Sequence, residues 1–354
     1  MLINEHKSMK NRILLFLIPF AVAACSRDAL PGGSGCLTVD LDGIAATKAI
    51  TGATASEMQV KSLNLYVFDA NGMLDVSHAC TEAELGAKQA VMNVKTGSKT
   101  VYALANFRGN LLASANGVAT RGELEQLPFG LGDNLTDGLL MTASGTVMVA
   151  SGSGGHTALA LTRPVARVAL GSVTNKLPAP YGTVKVLRAF LCNVVGNQNL
   201  AGEAPASDWY NQNATSDNVA GHVIGTSGYP AQLPALTYAD LNEDVTQNEQ
   251  HPFTNRFFYA FPNGLTNPNN GHTSPFSPTA TVLMVVVQIK NVPYYYPVVL
   301  DKKLERNKDY KVDLTLIGLG NTEDQPFNKI EKADLSATVS VSDWTTGATY
   351  TESI

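Results

Sequence analysis

Residues 60–72 read VKSLNLYVFDANG and give the clearest indication of the fold. The run LNLYVF (63–68) is rich in residues that favour β-strands, and DANG (69–72) follows at once with the composition of a hairpin turn. Similar short runs recur along the chain, and no alternation of strand and helix separates them. The sequence therefore predicts an all-β protein of mainly antiparallel strands.

The predicted strands form two groups, on either side of GSVTNKLPAPY (171–181), where two prolines indicate a junction. They lie at residues 36–41, 60–68, 90–95, 100–106, 146–150 and 157–170 before the junction, and at residues 183–194, 256–261, 281–289, 294–300, 310–317 and 333–344 after it. One helix is predicted near Thr120, where Thr-Arg-Gly-Glu has the spacing of a capping box. We predict two tandem β-sandwich domains, residues 49–174 and 175–354, and short elements with an exposed face in the polar segment 197–254.

The N-terminus has the parts of a bacterial lipoprotein signal. Lys7, Lys10 and Arg12 are positively charged, an apolar run of about 12 residues follows, and VAAC (22–25) ends at Cys25. A helix of that length is too short to span a hydrocarbon core of about 30 Å. We predict that residues 1–24 are a signal peptide and that Cys25 carries lipid, which anchors the precursor to a membrane. An ordinary signal peptide and a buried N-terminal helix are the alternatives.

The net charge and the cysteine count limit the partners and the disulfide bonds that the chain can have. The net charge is −5 without basic clusters, which argues against nucleic acid as a partner. Lipidation of Cys25 leaves Cys36, Cys80 and Cys192, an odd number that cannot all pair within the chain. We expect Cys36 and Cys192 to be small buried residues, and the sequence leaves open whether any of the three forms a disulfide bond.

No constellation of residues carries a catalytic mechanism. The histidines are scattered, SGSGGH (151–156) lacks the spacing of a nucleophile elbow and is predicted to be a turn, and the acidic pairs lie in polar segments typical of solvated surface. The acidic pairs are Glu82 with Glu84 and Glu243 with Asp244. We expect no catalytic, metal-binding or cofactor-binding residues, and we expect that the protein is not an enzyme.

Seven stretches, in this order and spacing after a lipobox, together resemble one family. They are SLNLYVFDANG (62–72), VYALANF (101–107), LLMTAS (139–144), LTRPVARVAL (161–170), FFYAFPN (257–263), LERNKDYKVDLTLIGLG (304–320) and VSVSDW (339–344). The chain resembles the fimbrillins, the lipoprotein-derived type V pilins of Gram-negative anaerobes, over almost its whole length after Cys25.

The resemblance implies two transthyretin-like β-sandwiches and a structural role. The chain would be exported as a lipidated precursor, with palmitate among its lipids, and held at the outer membrane. An outer-membrane protease specific for Arg or Lys would remove the first strand. The vacated groove would then accept a C-terminal strand from another copy or a related fimbrial subunit, and the extracellular fimbrium would serve adhesion to a host or bacterial receptor and biofilm formation.

Two segments have the pattern that such an exchange needs. CLTVDL (36–41) alternates with Leu37, Val39 and Leu41 on one face, and the only basic residue between this strand and the one that starts at residue 60 is Lys48, which predicts cleavage between Lys48 and Ala49. LSATVSVS (335–342) alternates likewise, with its apolar positions at Leu335, Ala337, Val339 and Val341. We expect this donor strand to pack mainly against another chain and to contribute little to its own domain.

Two other functions remain open at this stage. A surface glycan-binding lipoprotein would use the aromatic residues of segment 197–254 and would stay lipidated and monomeric. A fimbrial tip subunit would lack a free donor strand, and an anchor subunit would keep its first strand. A lipoprotein hydrolase is disfavoured because the catalytic motifs are missing.

Overall fold

The structure is a computed structural model, and it describes residues 33–41, 57, 59–107, 117–134, 138–202, 209–211, 234–265, 280–300, 303–323, 325, 328, 330, 334–344 and 349–353. The strands of the N-terminal half are β1 Ser34–Asp40, β2 Leu63–Phe68, β3 Leu74–Ala79, β4 Gln89–Lys95, β5 Gly97–Ala105, β6 Pro128–Gly130, β7 Met141–Val149 and β8 Gly155–Ala158.

The remaining strands are β9 Ala166–Asn175, β10 Val184–Cys192, β11 Val194–Val195, β12 Asn197–Asn199, β13 Trp209–Tyr210, β14 Tyr238–Val245, β15 Gln250–Pro252, β16 Phe257–Ala260, β17 Val282–Ile289, β18 Val292–Val299, β19 Lys308–Leu316, β20 Leu335–Asp343 and β21 Thr349–Ser353. The α-helices are α1 Glu82–Ala87, α2 Arg121–Glu125 and α3 Pro234–Thr237, and 3-10 turns lie at Leu131–Asn134 and Ala179–Tyr181. The predicted all-β class is confirmed. No helix among the described residues is long and apolar enough to cross a membrane.

The N-terminal sandwich packs a three-stranded sheet on a four-stranded one. The sheet orders are β4-β1-β8 and β3-β2-β5-β7. Alternation explains the core, because every second residue of β1, β2, β4 and β5 points inward and these apolar side chains form one buried cluster. The outer face of β2 and β5 is covered in turn by Leu124 of α2. Thr120 caps this helix with the predicted capping box, in which its hydroxyl accepts a hydrogen bond from the backbone N–H of Glu123.

The C-terminal sandwich is larger. One sheet has the order β14-β10-β17-β18, and the other has the order β15-β9-β19-β20-β21, with β16 also paired to β9. Strand β17 reads VLMVVVQI and is buried on both faces, because a second apolar cluster covers its outer side. The C-terminal half thus has its own core, as predicted for two sandwiches in tandem.

One predicted strand and the predicted domain boundary need correction. The run 157–170 was expected to be a single strand, but it contains the end of β8 and the start of β9, and Pro164 lies between them. Proline cannot donate to a ladder, so the chain leaves one sheet and enters the other there. Because β9 pairs with β19, the change of sandwich falls between residues 158 and 166 rather than at residue 174.

Candidate functional site

Strand β1 is the middle strand of its sheet. It pairs antiparallel with β4 from Ser34 opposite Lys95 to Asp40 opposite Gln89, and parallel with β8 from Leu37 opposite Gly155 to Asp40 opposite Ala158. No other strand among the described residues joins β4 to β8. Removal of β1 would therefore divide the sheet and leave two unpaired edges that face each other across a groove one strand wide.

The inward face of β1 fills this groove completely. Leu37, Val39 and Leu41 each have 0% exposure and belong to the core of the N-terminal sandwich. The outward residues of the strand are only half-buried. Cys36 is one of them, so the expectation that it is a small buried residue is wrong, whereas Cys192 is fully buried as expected.

The two ends of β1 are fixed by different contacts. At the N-terminal end the chain lies so close to its neighbours that a Cβ on Gly35 would come within 2.6 Å of Val149, and a Cβ on Gly154 would come within 2.3 Å of the Cys36 carbonyl oxygen. Glycine is required at both positions because a side chain would clash. The SGSGGH stretch is thus a turn that leads into β8.

At the other end, Asp40 links β1 to both neighbouring strands. One oxygen of its carboxylate accepts a hydrogen bond from Nε2 of Gln89 at 2.8 Å, and the other lies 2.7 Å from Nε2 of His156. The Gln89 hydrogen bond, followed by the contact with His156, holds the pKa of Asp40 below its ordinary value. Asp40 was not singled out from the sequence, since a polar residue on an alternating strand is ordinary surface.

The predicted donor segment forms β20, and in the isolated chain this strand is already paired. It lies antiparallel to β19 along all nine of its residues and pairs with the edge strand β21 on its other side. Ala337 and Val339 are buried at 6% and 8% exposure, and Leu335 and Val341 are half-buried against the same core.

The expectation that these side chains contribute little to their own domain is therefore wrong. A two-residue period predicts one apolar face, but it does not say which core that face meets. The alternation itself is confirmed. In this chain the apolar face of β20 covers the margin of the C-terminal core.

A buried ionic cluster, which the sequence did not predict, joins the chain after the first strand to the C-terminal sandwich. Glu57 and Arg167 pair at 3.1 Å with 3% and 1% of their side chains exposed, and Arg167 also pairs with Asp309 at 2.7 Å. The available signal was LTRPVARVAL, where Arg163 and Arg167 interrupt an otherwise apolar run. Both arginines are buried.

The aromatic residues that could have formed a glycan platform pack inward where they are described. Trp209 and Tyr210 lie against the C-terminal core, and the ring of Tyr238 stacks on that of Phe190 at 6.0 Å. Tyr229 lies outside the described residues. The segment carries short elements, as predicted, including β12 to β15.

The acidic pairs have structural roles. Glu84 closes the capping box of α1 with Thr81 and bonds His78 at 2.8 Å, and Glu243 binds His251 at 2.8 Å. In the described part of the chain, His78, Cys80 and Glu84 are the one group of side chains close enough to share a metal ion. Burial and the nearby Glu84 raise the pKa of Cys80 to about 12, so its thiol stays protonated and is a poor ligand as it stands.

Three predicted site residues lie outside the described residues. They are Cys25, Lys48 and Ala49. The structure describes the nearest residues on both sides of the predicted cut. They are Leu41, directly after β1, and Glu57, in the chain that leads to β2.

Comparison with known proteins agrees with this architecture. The model of the family described as major fimbrial subunit protein (FimA) matches residues 37–175, from Leu37 within β1 to the end of β9. No curated protein sequence matches the chain.

Solved structures share the fold over both sandwiches. A fimbrilin from Porphyromonas gingivalis W83 aligns with a TM-score of 0.61 at 16% identity, over 88% of this chain and 98% of that one. The tip fimbrial protein Mfa3 from Porphyromonas gingivalis, with a C-terminal truncation, aligns with a TM-score of 0.50 at 14% identity, over 88% of this chain and all of that one. The resemblance to the fimbrillins inferred from the sequence is confirmed by the family model over residues 37–175 and by the shared fold.

Proposed function

From a fold shared with fimbrillins and a first strand that fills a groove in the middle of a sheet, we propose that this chain is a fimbrial subunit that polymerises by strand exchange. The observation that carries the proposal is the placement of β1. It is joined to the rest of the chain through residues 42–56, which contain Lys48, and it is the sole described link between β4 and β8.

The driving force for assembly is the groove that cleavage creates. Loss of Leu37, Val39 and Leu41 would expose the apolar surface they cover, at about 2 kcal/mol for each side chain. The edges of β4 and β8 would also lose their ladder partners, and an unpaired edge readily accepts an added strand. An incoming strand with an aliphatic face covers this apolar surface again and pairs with both edges.

Strand β20 is the donor in this proposal. Within β20 itself, leaving the sheet exposes two buried side chains, Ala337 at 6% and Val339 at 8% exposure, whereas the groove of β1 encloses three at 0% exposure. The transfer therefore moves an aliphatic face from the margin of one core to the centre of another. Strand β21 has β20 as its one partner among the described strands, so it can separate first without opening a second gap.

Export and processing complete the proposal. A lipid on Cys25 anchors the precursor at the outer membrane, and a lysine- or arginine-specific protease releases β1 with that anchor. The mature subunit begins at Ala49 and joins the extracellular fimbrium, which mediates adhesion and biofilm formation. Cys25→Ala should abolish membrane partition of the precursor in cell fractionation and should reduce fimbriation.

The trimming step is tested on purified precursor lacking residues 1–24. Treatment with a lysine-specific protease should yield filaments, and mass spectrometry of their subunits should show Ala49 as the first residue. Lys48→Gln should keep β1 and stay monomeric. Lys61→Gln, which changes the next, solvent-exposed lysine, is the matched control and should assemble normally.

A peptide competitor separates strand exchange from other modes of association. A synthetic peptide of residues 33–41 should refill the groove of trimmed subunits and block their assembly, and the same peptide with Val39→Asp should not. Filaments built from subunits that retain β1, or assembly that is insensitive to both peptides, would refute the proposal.

A further inference from the structure

Glu57 is buried in the C-terminal sandwich although it belongs to the chain that precedes β2. Its side chain is 3% exposed. Its carboxylate accepts a hydrogen bond from the hydroxyl of Tyr259 at 2.6 Å and two from Nη1 of Arg167 at 3.1 and 3.3 Å. Its backbone carbonyl accepts two more from Arg163, at 2.8 and 3.2 Å. The first described residue after the removable segment is therefore attached to β9 and β16.

The same arginines hold the end of the donor strand. The guanidinium groups of Arg163 and Arg167 lie 4.6 and 5.2 Å from the ring centroid of Trp344, which follows β20 directly. Tyr259 stacks on Trp344 with centroids 6.0 Å apart. Trp344 has 0% exposure, and its backbone N–H donates to the carbonyl of Asn307 at 3.0 Å. Cations over an indole face bind most strongly where water is excluded, as here.

The charges of this cluster balance only with Glu57 in place. Arg163 and Arg167 supply two positive charges, and Glu57 and Asp309 supply two negative ones. Burial alone would lower the pKa of Arg167, but hydrogen bonds and charge from Asp309 and Glu57 raise it, so Arg167 stays charged. A buried charge that loses its partner is strongly destabilised, and the groups packed on it loosen with it.

Release of β20 requires Trp344 to leave this cluster. The strand lies between residue 334 and Trp344, and it cannot reach another copy while both of its ends stay in place. We propose that Glu57 is a positioning residue for strand exchange, which locks the C-terminal hairpin of β20 and β21 onto its own domain through Arg167, Tyr259 and Trp344. The consequence for assembly rests on the proposed function, but the lock itself is a property of the monomer.

The monomer test measures amide hydrogen exchange in residues 335–353 of the untrimmed chain. Glu57→Gln keeps the size of the side chain and removes its charge, so exchange in the hairpin should rise about tenfold while exchange in β17 and β18 of the same domain stays unchanged. Tyr259→Phe removes one hydrogen bond and should give a smaller rise, about twofold to threefold, in the same segment. This milder variant decides the question if Glu57→Gln does not fold.

A matched control comes from the N-terminal sandwich. Lys99 and Asp75 form another buried pair, at 2.5 Å with 2% and 3% exposure. Asp75→Asn should raise exchange near β3 and leave residues 335–353 unchanged. An unchanged hairpin in both Glu57→Gln and Tyr259→Phe would overturn the proposal, and so would an equal rise in β17 and β18, which indicates general destabilisation.

Assembly is measured separately on trimmed protein. Trimmed Glu57→Gln should form filaments several-fold faster than trimmed wild type, because the donor strand is released more often. An equal or slower rate alongside faster hairpin exchange would overturn the link between the lock and assembly. If trimmed wild type forms no filaments but Glu57→Gln still raises amide hydrogen exchange in the hairpin, the proposed function is refuted and the role of Glu57 in the monomer is not.

Discussion

Strands β1 and β20 have the same pattern and different positions. Each alternates aliphatic and polar residues, and each lies between two neighbouring strands. Yet Leu37 and Val39 of β1 and Leu41 directly after it are completely buried, whereas β20 has two buried and two half-buried aliphatic residues. Strand β1 is at the centre of the smaller core and β20 is at the margin of the larger one.

The difference gives strand exchange a direction. A strand at the margin of one core gains burial when it moves into the centre of another, and the reverse move loses burial. Cleavage is needed because β1 occupies the better position and is covalently tethered to it. We therefore expect substitutions in β1 to affect the folded precursor more than equivalent substitutions in β20.

The largest effect is expected from Val39→Asp. A carboxylate without a partner in a fully enclosed position should lower the free energy of unfolding of the precursor by about 3–5 kcal/mol. Thr38→Asp, one residue away on the half-exposed face, should cost less than about 1 kcal/mol. Denaturant unfolding of both variants measures the contrast. Equal losses would mean that the two faces of β1 do not differ as described.

Val339→Asp should have an intermediate effect on the precursor and a complete effect on assembly. Because Val339 is at the margin of its core, the expected loss is about 2 kcal/mol, with Ser340→Asp within about 0.5 kcal/mol of wild type. After trimming, Val339→Asp should form no filaments and Ser340→Asp should form them. If Val339→Asp destabilises the precursor as much as Val39→Asp does, β20 lies deep in its core. Normal assembly of Val339→Asp would exclude β20 as the donor strand.

The smallest effect is expected from Asp40→Asn, and it should depend on pH. The pKa of Asp40 in the folded chain lies below its ordinary value of 3.8, so the ionised form is preferred in the folded state. Its contribution to stability is therefore present above about pH 4 and is lost as the pH falls through the lowered pKa. Thermal melting between pH 2 and pH 7 should show wild type slightly more stable than Asp40→Asn at neutral pH, with the difference vanishing at the acid end. A difference that grows towards low pH would contradict the assignment.

The sequence predicted what depends on local pattern and missed what depends on contacts between distant segments. Alternation located β1 and β20, strand-favouring residues before a turn located β2, and the capping-box spacing located α2. It could not show that β20 pairs with β19, since register and sheet order are set by the whole core. Nor could it show Glu57 in a cluster with Arg167 and Tyr259, which are more than 100 residues away along the chain. Pro164 lies within the run 157–170, but one continuous strand was predicted there.

The central claim, that β20 of one copy replaces β1 of another, is tested most directly by disulfide trapping in filaments. Asn93 of β4 is opposite outward-facing Cys36 of β1, and Cys36 leaves when β1 is removed. One trimmed copy carries Asn93→Cys, and an isotopically labelled copy carries cysteine in turn at Ser336, Thr338, Ser340 or Ser342, which samples the possible registers. The account predicts a disulfide between labelled and unlabelled copies at one of these positions, formed only in trimmed protein. Filaments that form without such a disulfide at any of the four positions would contradict it.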